Sequence, residues 1–112
     1  MNWKLFALIC FLVILLLLPI FFHLESQKNE KEMAIKKCVE ACREAMISGI
    51  DLSSGPCLVE SIPGLNFWSC DVAHNPRQPI DNLPENQCSS FREGRTKHFV
   101  EVDINCNLIR AS

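Results

Sequence analysis

The chain has no long run of like charge, no glycine-rich phosphate loop, no C-x-x-C pair and neither an H-E-x-x-H nor a G-x-S-x-G motif. Each absence removes a class. From His23 onward ten Lys and Arg stand against thirteen Asp and Glu, so the basic footprint of a nucleic-acid binder is missing. The lack of C-x-x-C argues against thioredoxin-like redox chemistry. The other missing motifs would have marked a P-loop nucleotide site, a zinc protease or an α/β-hydrolase.

A processing site is missing too. Leu5 to Phe22, LFALICFLVILLLLPIFF, contains no charged or amide side chain, and fifteen of its eighteen residues are Leu, Ile, Phe or Val. At the helical rise it spans about 27 Å, close to the ~30 Å hydrocarbon core of a bilayer. The upper-bound insertion free energy is about −6 kcal/mol. Trp3 and Phe21 to His23 can fill the interfaces, and Pro19 lies near the end, where a kink costs little. The competing reading is a cleaved export signal, since one Lys precedes the apolar run. Yet Phe22-His23-Leu24-Glu25-Ser26 has no small-x-small pair, and Leu8-Ile9 before Cys10 is not a lipoprotein site. The expectation is an uncleaved anchor touching the lipid bilayer through residues 5–22, after a tail at 1–4, followed by a linker at 23–29 and a cysteine-rich domain at 30–112.

A domain this small buries a modest core and often needs covalent staples. Six cysteines lie in it, Cys38, Cys42, Cys57, Cys70, Cys88 and Cys106, while Cys10 is a small apolar residue of the span. Two signals about topology oppose each other. Lys28, Lys31, Lys36 and Lys37 follow the span closely and would hold the domain in the cytoplasm. Six cysteines in a small domain point to an oxidising exterior, and the Lys residues alternate with Glu25, Glu30 and Glu32 as on a solvated helix face. The exterior is the favoured side, with the domain extracytoplasmic on the cell membrane.

Local patterns outline the elements. Ile35, Cys38, Val39, Cys42, Ala45 and Met46 recur at helical spacing. Asn29 with Glu32 resembles a capping box and Gly49 a stop, although nothing between His23 and Asn29 forbids the helix from running on out of the span. Asp51 to Pro56 reads as a turn. Cys57 to Ser61 and Leu65 to Ala73 read as strands around Pro63-Gly64, suited to a type II turn. A hairpin centred there would face Cys57 with Cys70 and permit a bridge between them. His74 to Gln87, HNPRQPIDNLPENQ, is a stiff polar connection. A short second helix is expected from an Asn82 cap, with Pro84 in its first turn, Glu85 at the box position, Leu83, Gln87, Cys88 and Phe91 on one face, and an end at Gly94. His98 to Ile104 alternates, with Val100, Val102 and Ile104 inward and Glu101 and Asp103 outward.

Helix geometry constrains the framework. Cys38 and Cys42 lie one turn apart with parallel side chains, so each should reach a separate element. If Cys57 joins Cys70, their partners become Cys88 and Cys106. Zinc is the competing use, with Cys38-x3-Cys42 and Cys70-x3-His74 as four ligands, but these spacings are unspecific. A Cys-His nucleophile using His74 or His98 would need an unpaired thiolate, which six paired cysteines do not leave. His74, near Asp71 and Arg77, is better read as a residue that makes structural hydrogen bonds or faces solvent. Arg92, Arg95, Lys97 and His98 form a basic cluster, either a contact for anionic headgroups or, the favoured reading, a solvated turn.

The stretches WSCDVAHNPRQPIDNLPENQC and HFVEVDINC resemble those of small uncharacterised archaeal membrane-anchored proteins with a cysteine-rich domain; the resemblance covers Cys38 to Cys106 and implies neither an activity nor a functional residue. The fold class expected is α+β: a transmembrane helix, then a disulfide-stapled domain of one amphipathic helix, a short antiparallel sheet and a short second helix. The expected role is a noncatalytic binding or structural module of the cell envelope, without cofactor or nucleic acid; an envelope protein or a glycan is the candidate ligand, which the sequence does not name. The competing class is a metal-binding or thiol-dependent enzyme using Cys70 and His74.

Overall fold

The computed structural model describes residues 2–112. The chain divides into two compact units, the first ending at Glu30 and the second Lys31–Ser112. Helix α1, Trp3–Ile47, enters both. In the first unit its apolar side chains are exposed throughout. Among the described residues α1 is the one helix long and apolar enough to cross a membrane.

The expected linker at 23–29 is helical, and Asn29 is not a cap, because no Gly or Pro interrupts the chain between Pro19 and Gly49. At the far end the expected stop holds. Gly49 adopts φ +77°, its amide donates to the Met46 carbonyl, and the Ile50 amide reaches back to Ala45. This is the paired-bond ending in which a left-handed residue satisfies the last carbonyls, a conformation glycine adopts without steric cost.

The second unit is α+β. Strands β1 (Cys57–Val59), β2 (Trp68–Val72), β3 (His98–Val102) and β4 (Leu108–Ala111) form one sheet in chain order. The sheet is mixed rather than wholly antiparallel, since β2 and β3 run parallel between antiparallel outer pairs. Parallel neighbours require a long crossover, and residues 73–97 supply it. Strand β4 was not foreseen; its four residues are too few to show a period.

The inner face of the sheet packs against α1. Trp68, Cys70, Val72, Val100 and Val102 join Ala34, Cys38, Cys42 and Ala45 in one buried core with Leu52, Ile62 and Cys106. Three disulfides close it, Cys38–Cys70, Cys42–Cys106 and Cys57–Cys88. Cys38 and Cys42 do reach separate elements, as their shared helix face requires.

The Cys57–Cys70 bridge, however, is overturned. The turn at Pro63-Gly64 forms, with Gly64 at φ +80° and the Leu65 amide bonded to the Ile62 carbonyl. A second turn follows at once, Trp68 to Leu65, and Ile62 then pairs with Trp68. These inserted residues and a bulge between Cys57 and Val59 place Cys57 opposite Asp71 and Val59 opposite Cys70. Neighbouring residues of a strand point to opposite faces, so this slip separates the two cysteines. Cys70 faces α1 and takes Cys38; Cys57 faces away and takes Cys88 in the crossover.

The expected second helix is broken up. Pro79–Asn82 and Pro84–Asn86 are single 3-10 turns, and only α2, Ser89–Arg92, is α-helical. Leu83 is extended, at φ −67° and ψ 133°, because a residue before proline is driven out of the helical region. Gln87 and Cys88 are extended as well. Asn82 and Glu85 do not cap α2. Glu60 does so from beyond β1, accepting from the Ser90 amide at 2.7 Å and the Ser89 amide at 3.1 Å. The last predicted strand also stops early. Ile104 lies beyond β3 and is exposed, whereas Glu101, expected to face solvent, is buried.

Candidate functional site: a cleft on the outer face of the sheet

Alternate residues of β2, β3 and β4 point away from α1. Register lines them up: Ser69 opposite Phe99, Asp71 opposite Glu101, and Glu101 opposite Arg110. The crossover folds over this face and leaves a cleft of about 330 Å³. Ser69, Asp71, Phe99, Glu101 and Arg110 line it from the sheet; Arg77, Gln87, Cys88, Phe91 and Arg92 line it from the crossover.

One buried residue holds the crossover in place. The carboxylate of Asp81 accepts from the Gln78 amide at 2.8 Å and the His74 amide at 3.1 Å, and lies 2.9 Å from His74 Nδ1. Its backbone carbonyl accepts from Arg77 and Gln87. Burial pushes the Asp81 carboxyl up, but the Gln78 amide together with the ring and amide of His74 outweighs it and holds the group below the usual carboxylate range. The Asn75–Pro76 peptide within this loop is cis. Gly55, at φ +68°, passes so close that a Cβ there would lie 2.5 Å from Asp81 Oδ1 and 3.0 Å from the Val72 carbonyl. No other residue type fits that position.

The knot aims Arg77 at the cleft. Its Nη1 donates to Glu101 Oε2 at 3.0 Å, its Nε to Asn82, and its Nη2 to the Asp81 carbonyl. Arg110 reaches the other Glu101 oxygen at 3.6 Å while lying over the Phe99 ring, 5.1 Å from its centroid. Phe91 meets Phe99 edge to face at 5.1 Å.

Asp71 is the outlier. Its Oδ1 is buried without a hydrogen-bond partner in the structure. Burial pushes the carboxyl up to about 8, and Glu101 across the register adds to the rise; the Val72 amide and Arg77 pull the other way without reversing it. At neutral pH Asp71 is therefore mainly a neutral acid able both to donate and to accept. The cleft thus presents an acid, a carboxylate bound by two arginines, and two aromatic faces, a set able to grip a polar ligand from several sides.

The residues singled out from the sequence fall elsewhere. Cys38, Cys42 and Cys70 are all oxidised, and His74 is bonded to Asp81, so the four suggested metal ligands are divided among two disulfides and a hydrogen bond. His74 does make structural hydrogen bonds, with Asp81 rather than with its sequence neighbours Asp71 and Arg77. Cys57, Glu60 and Cys88 bring three ligand-type atoms within 4.8 Å of one another. Two of these are disulfide sulfurs, and Glu60 is committed to Ser89 and Ser90. The basic cluster is dispersed: Arg95 pairs with Glu93 at 2.7 Å, His98 stacks on Trp68 at 4.8 Å, and Arg92 turns to the cleft.

Phe99, Glu101 and Arg110 carried no functional signal in the sequence. Asp71 entered the sequence reading only as a neighbour of His74; the signal that could have marked it is a carboxyl between Cys70 and Val72 in a strand. No family model, curated protein or solved structure matches this chain.

Proposed function

We propose that the protein is a single-pass, membrane-anchored binding module of the cell envelope, its disulfide-closed domain displayed on the oxidising side and its ligand held in the cleft on the outer sheet face. The cleft carries this reading. A carboxyl held largely neutral by burial, an arginine-bound carboxylate and two phenylalanines converge on one concavity. A concavity with apolar walls and a few convergent polar groups is the usual form of a ligand site.

The side of the membrane rests on the cysteines. All six of the domain are paired, and such bonds persist where the environment is oxidising. The anchor reading rests on α1, whose apolar segment has the length of a bilayer core and no cleavage signal after it.

The test uses intact cells. A membrane-impermeant amine reagent added outside is expected to label the exposed Lys28, Lys31 and Lys36 of α1, while the span resists carbonate extraction. Protection until lysis would place the domain in the cytoplasm and make the Lys residues after the span the decisive signal. A mature chain starting beyond Phe22 would remove the anchor from the proposal.

A further inference from the structure

Resting on the reading of the cleft as a binding site, we infer that its ligand is a carboxylate-bearing sugar, a uronate-type residue seated with its ring on the phenylalanines and its carboxylate toward Arg92 and Arg110.

The guanidinium inventory argues for the anion. Of the three arginines at the cleft, Arg77 already donates from each of its three nitrogens, to Asn82, Glu101 and the Asp81 carbonyl. Arg110 keeps only a 3.6 Å approach to Glu101. The Arg92 guanidinium has no hydrogen bond or ion pair among the described residues, although it lines the cleft. Two guanidinium groups with spare donors at one mouth suit a planar, bidentate carboxylate. Three cations there outnumber the carboxyl groups, in a chain whose net charge is −2. The positive cleft therefore runs against the character of the whole molecule and draws an anion by local charge.

The floor argues for a sugar. Asp71 and Glu101, which both line the cleft, offer carboxyl groups to hydroxyls, which a carbohydrate supplies and a simple acid does not. Because Asp71 is held protonated near neutral pH, it can donate to one hydroxyl while accepting from another. Phe91 and Phe99 provide the apolar surface that the C–H face of a pyranose needs. A cleft of about 330 Å³ sits at the small end of ligand sites, suited to one or two rings. A phosphate would bring a second negative charge toward Glu101. An acidic peptide side chain would engage the arginines but bring no hydroxyl groups to the carboxyls of the floor.

The experiment titrates the full chain in detergent micelles with digalacturonate, using calorimetry and the side-chain NMR signals of Asp71 and the arginines. A neutral galactose disaccharide and a glutamate-containing tripeptide serve as comparisons. Digalacturonate is expected to bind in the micromolar to millimolar range, shift the Asp71 and Arg92 signals, and exceed the neutral disaccharide by about tenfold or more. Arg92→Ala, which removes no internal contact, should weaken it by about tenfold, and Arg92→Lys by less. Equal binding of the neutral disaccharide, or binding indifferent to Arg92→Ala and Arg110→Ala, would overturn the assignment. Tripeptide binding without digalacturonate binding would remove the sugar and leave the binding module. Silence toward all three, with the domain folded, removes the sugar ligand, while the labelling of intact cells still decides the anchored arrangement.

Discussion

The two faces of the sheet are built from alternate residues of the same strands, yet they follow different rules. On the inner face Cys70, Val72, Val100 and Val102 are buried against α1, and two disulfides join that helix to the sheet side of the core. On the outer face Ser69, Asp71, Phe99, Glu101 and Arg110 lie beneath the crossover and enclose solvent-accessible space. The inner face spends its positions on packing and covalent closure. The outer face retains a carboxyl pair that packing alone would have replaced, since two facing carboxyl groups oppose each other. In a domain this small, stability rests on the inner face and its staples, which leaves the outer face free to be polar.

The largest expected effect comes from cutting the inner face. Cys38→Ser or Cys42→Ser should cost about 2 to 5 kcal/mol each, comparable with the whole stability of such a domain. Urea unfolding without reductant measures it, and a loss below about 1 kcal/mol would show that packing against α1 suffices without the bridges. Peptide mapping under the same conditions is expected to recover Cys38–Cys70, Cys42–Cys106 and Cys57–Cys88.

Next comes the support of the outer face. Gly55→Ala sets a Cβ 2.5 Å from Asp81 Oδ1 at a positive φ. About 2 to 3 kcal/mol should be lost, with the NMR signals of His74 and Gln78 displaced while those of the α1 contact stay in place. Displacement on both faces alike would mean that the crossover and the inner core are one cooperative element.

Asp71 distinguishes the faces by pH. Its carboxyl titrates near 3.8 when exposed and near 8 in the fold. Between those values the unfolded chain has lost the proton that the native state keeps, so this group's contribution is full below about pH 4 and falls as pH rises toward 8. The slope is at most about 1.4 kcal/mol per pH unit. Asp71→Asn should flatten that decline and make the domain more stable than the wild type near pH 8, as thermal melts across the range would record. An unchanged slope would assign the decline to other groups. The smallest effect is expected from Arg110→Ala. This half-exposed side chain makes one 3.6 Å contact with Glu101, so stability should change by less than about 1 kcal/mol while the cleft loses a cation. A larger loss would mean that the Arg110 stack on Phe99 is structural.

The legible part of the molecule was the part written in local pattern. Sequence alone determined an apolar segment of membrane length, an α+β domain, the helical stripe through Cys38 and Cys42, the divergence of those two cysteines, the turn at Pro63-Gly64 and the stop at Gly49. Each depends on residues within a few positions of one another, where backbone sterics and periodicity act directly. Tertiary structure alone decided the cysteine partners, the parallel pairing of β2 with β3, the strand at Leu108–Ala111 and the cleft. One inserted turn and one bulge, invisible as pattern, shifted the pairing so that Cys57 met Asp71 instead of Cys70. Glu101 read as a solvent-facing residue because alternation tells which residues share a face but not what covers it. Only the folding of residues 73–97 over the sheet turned that polar face into a site.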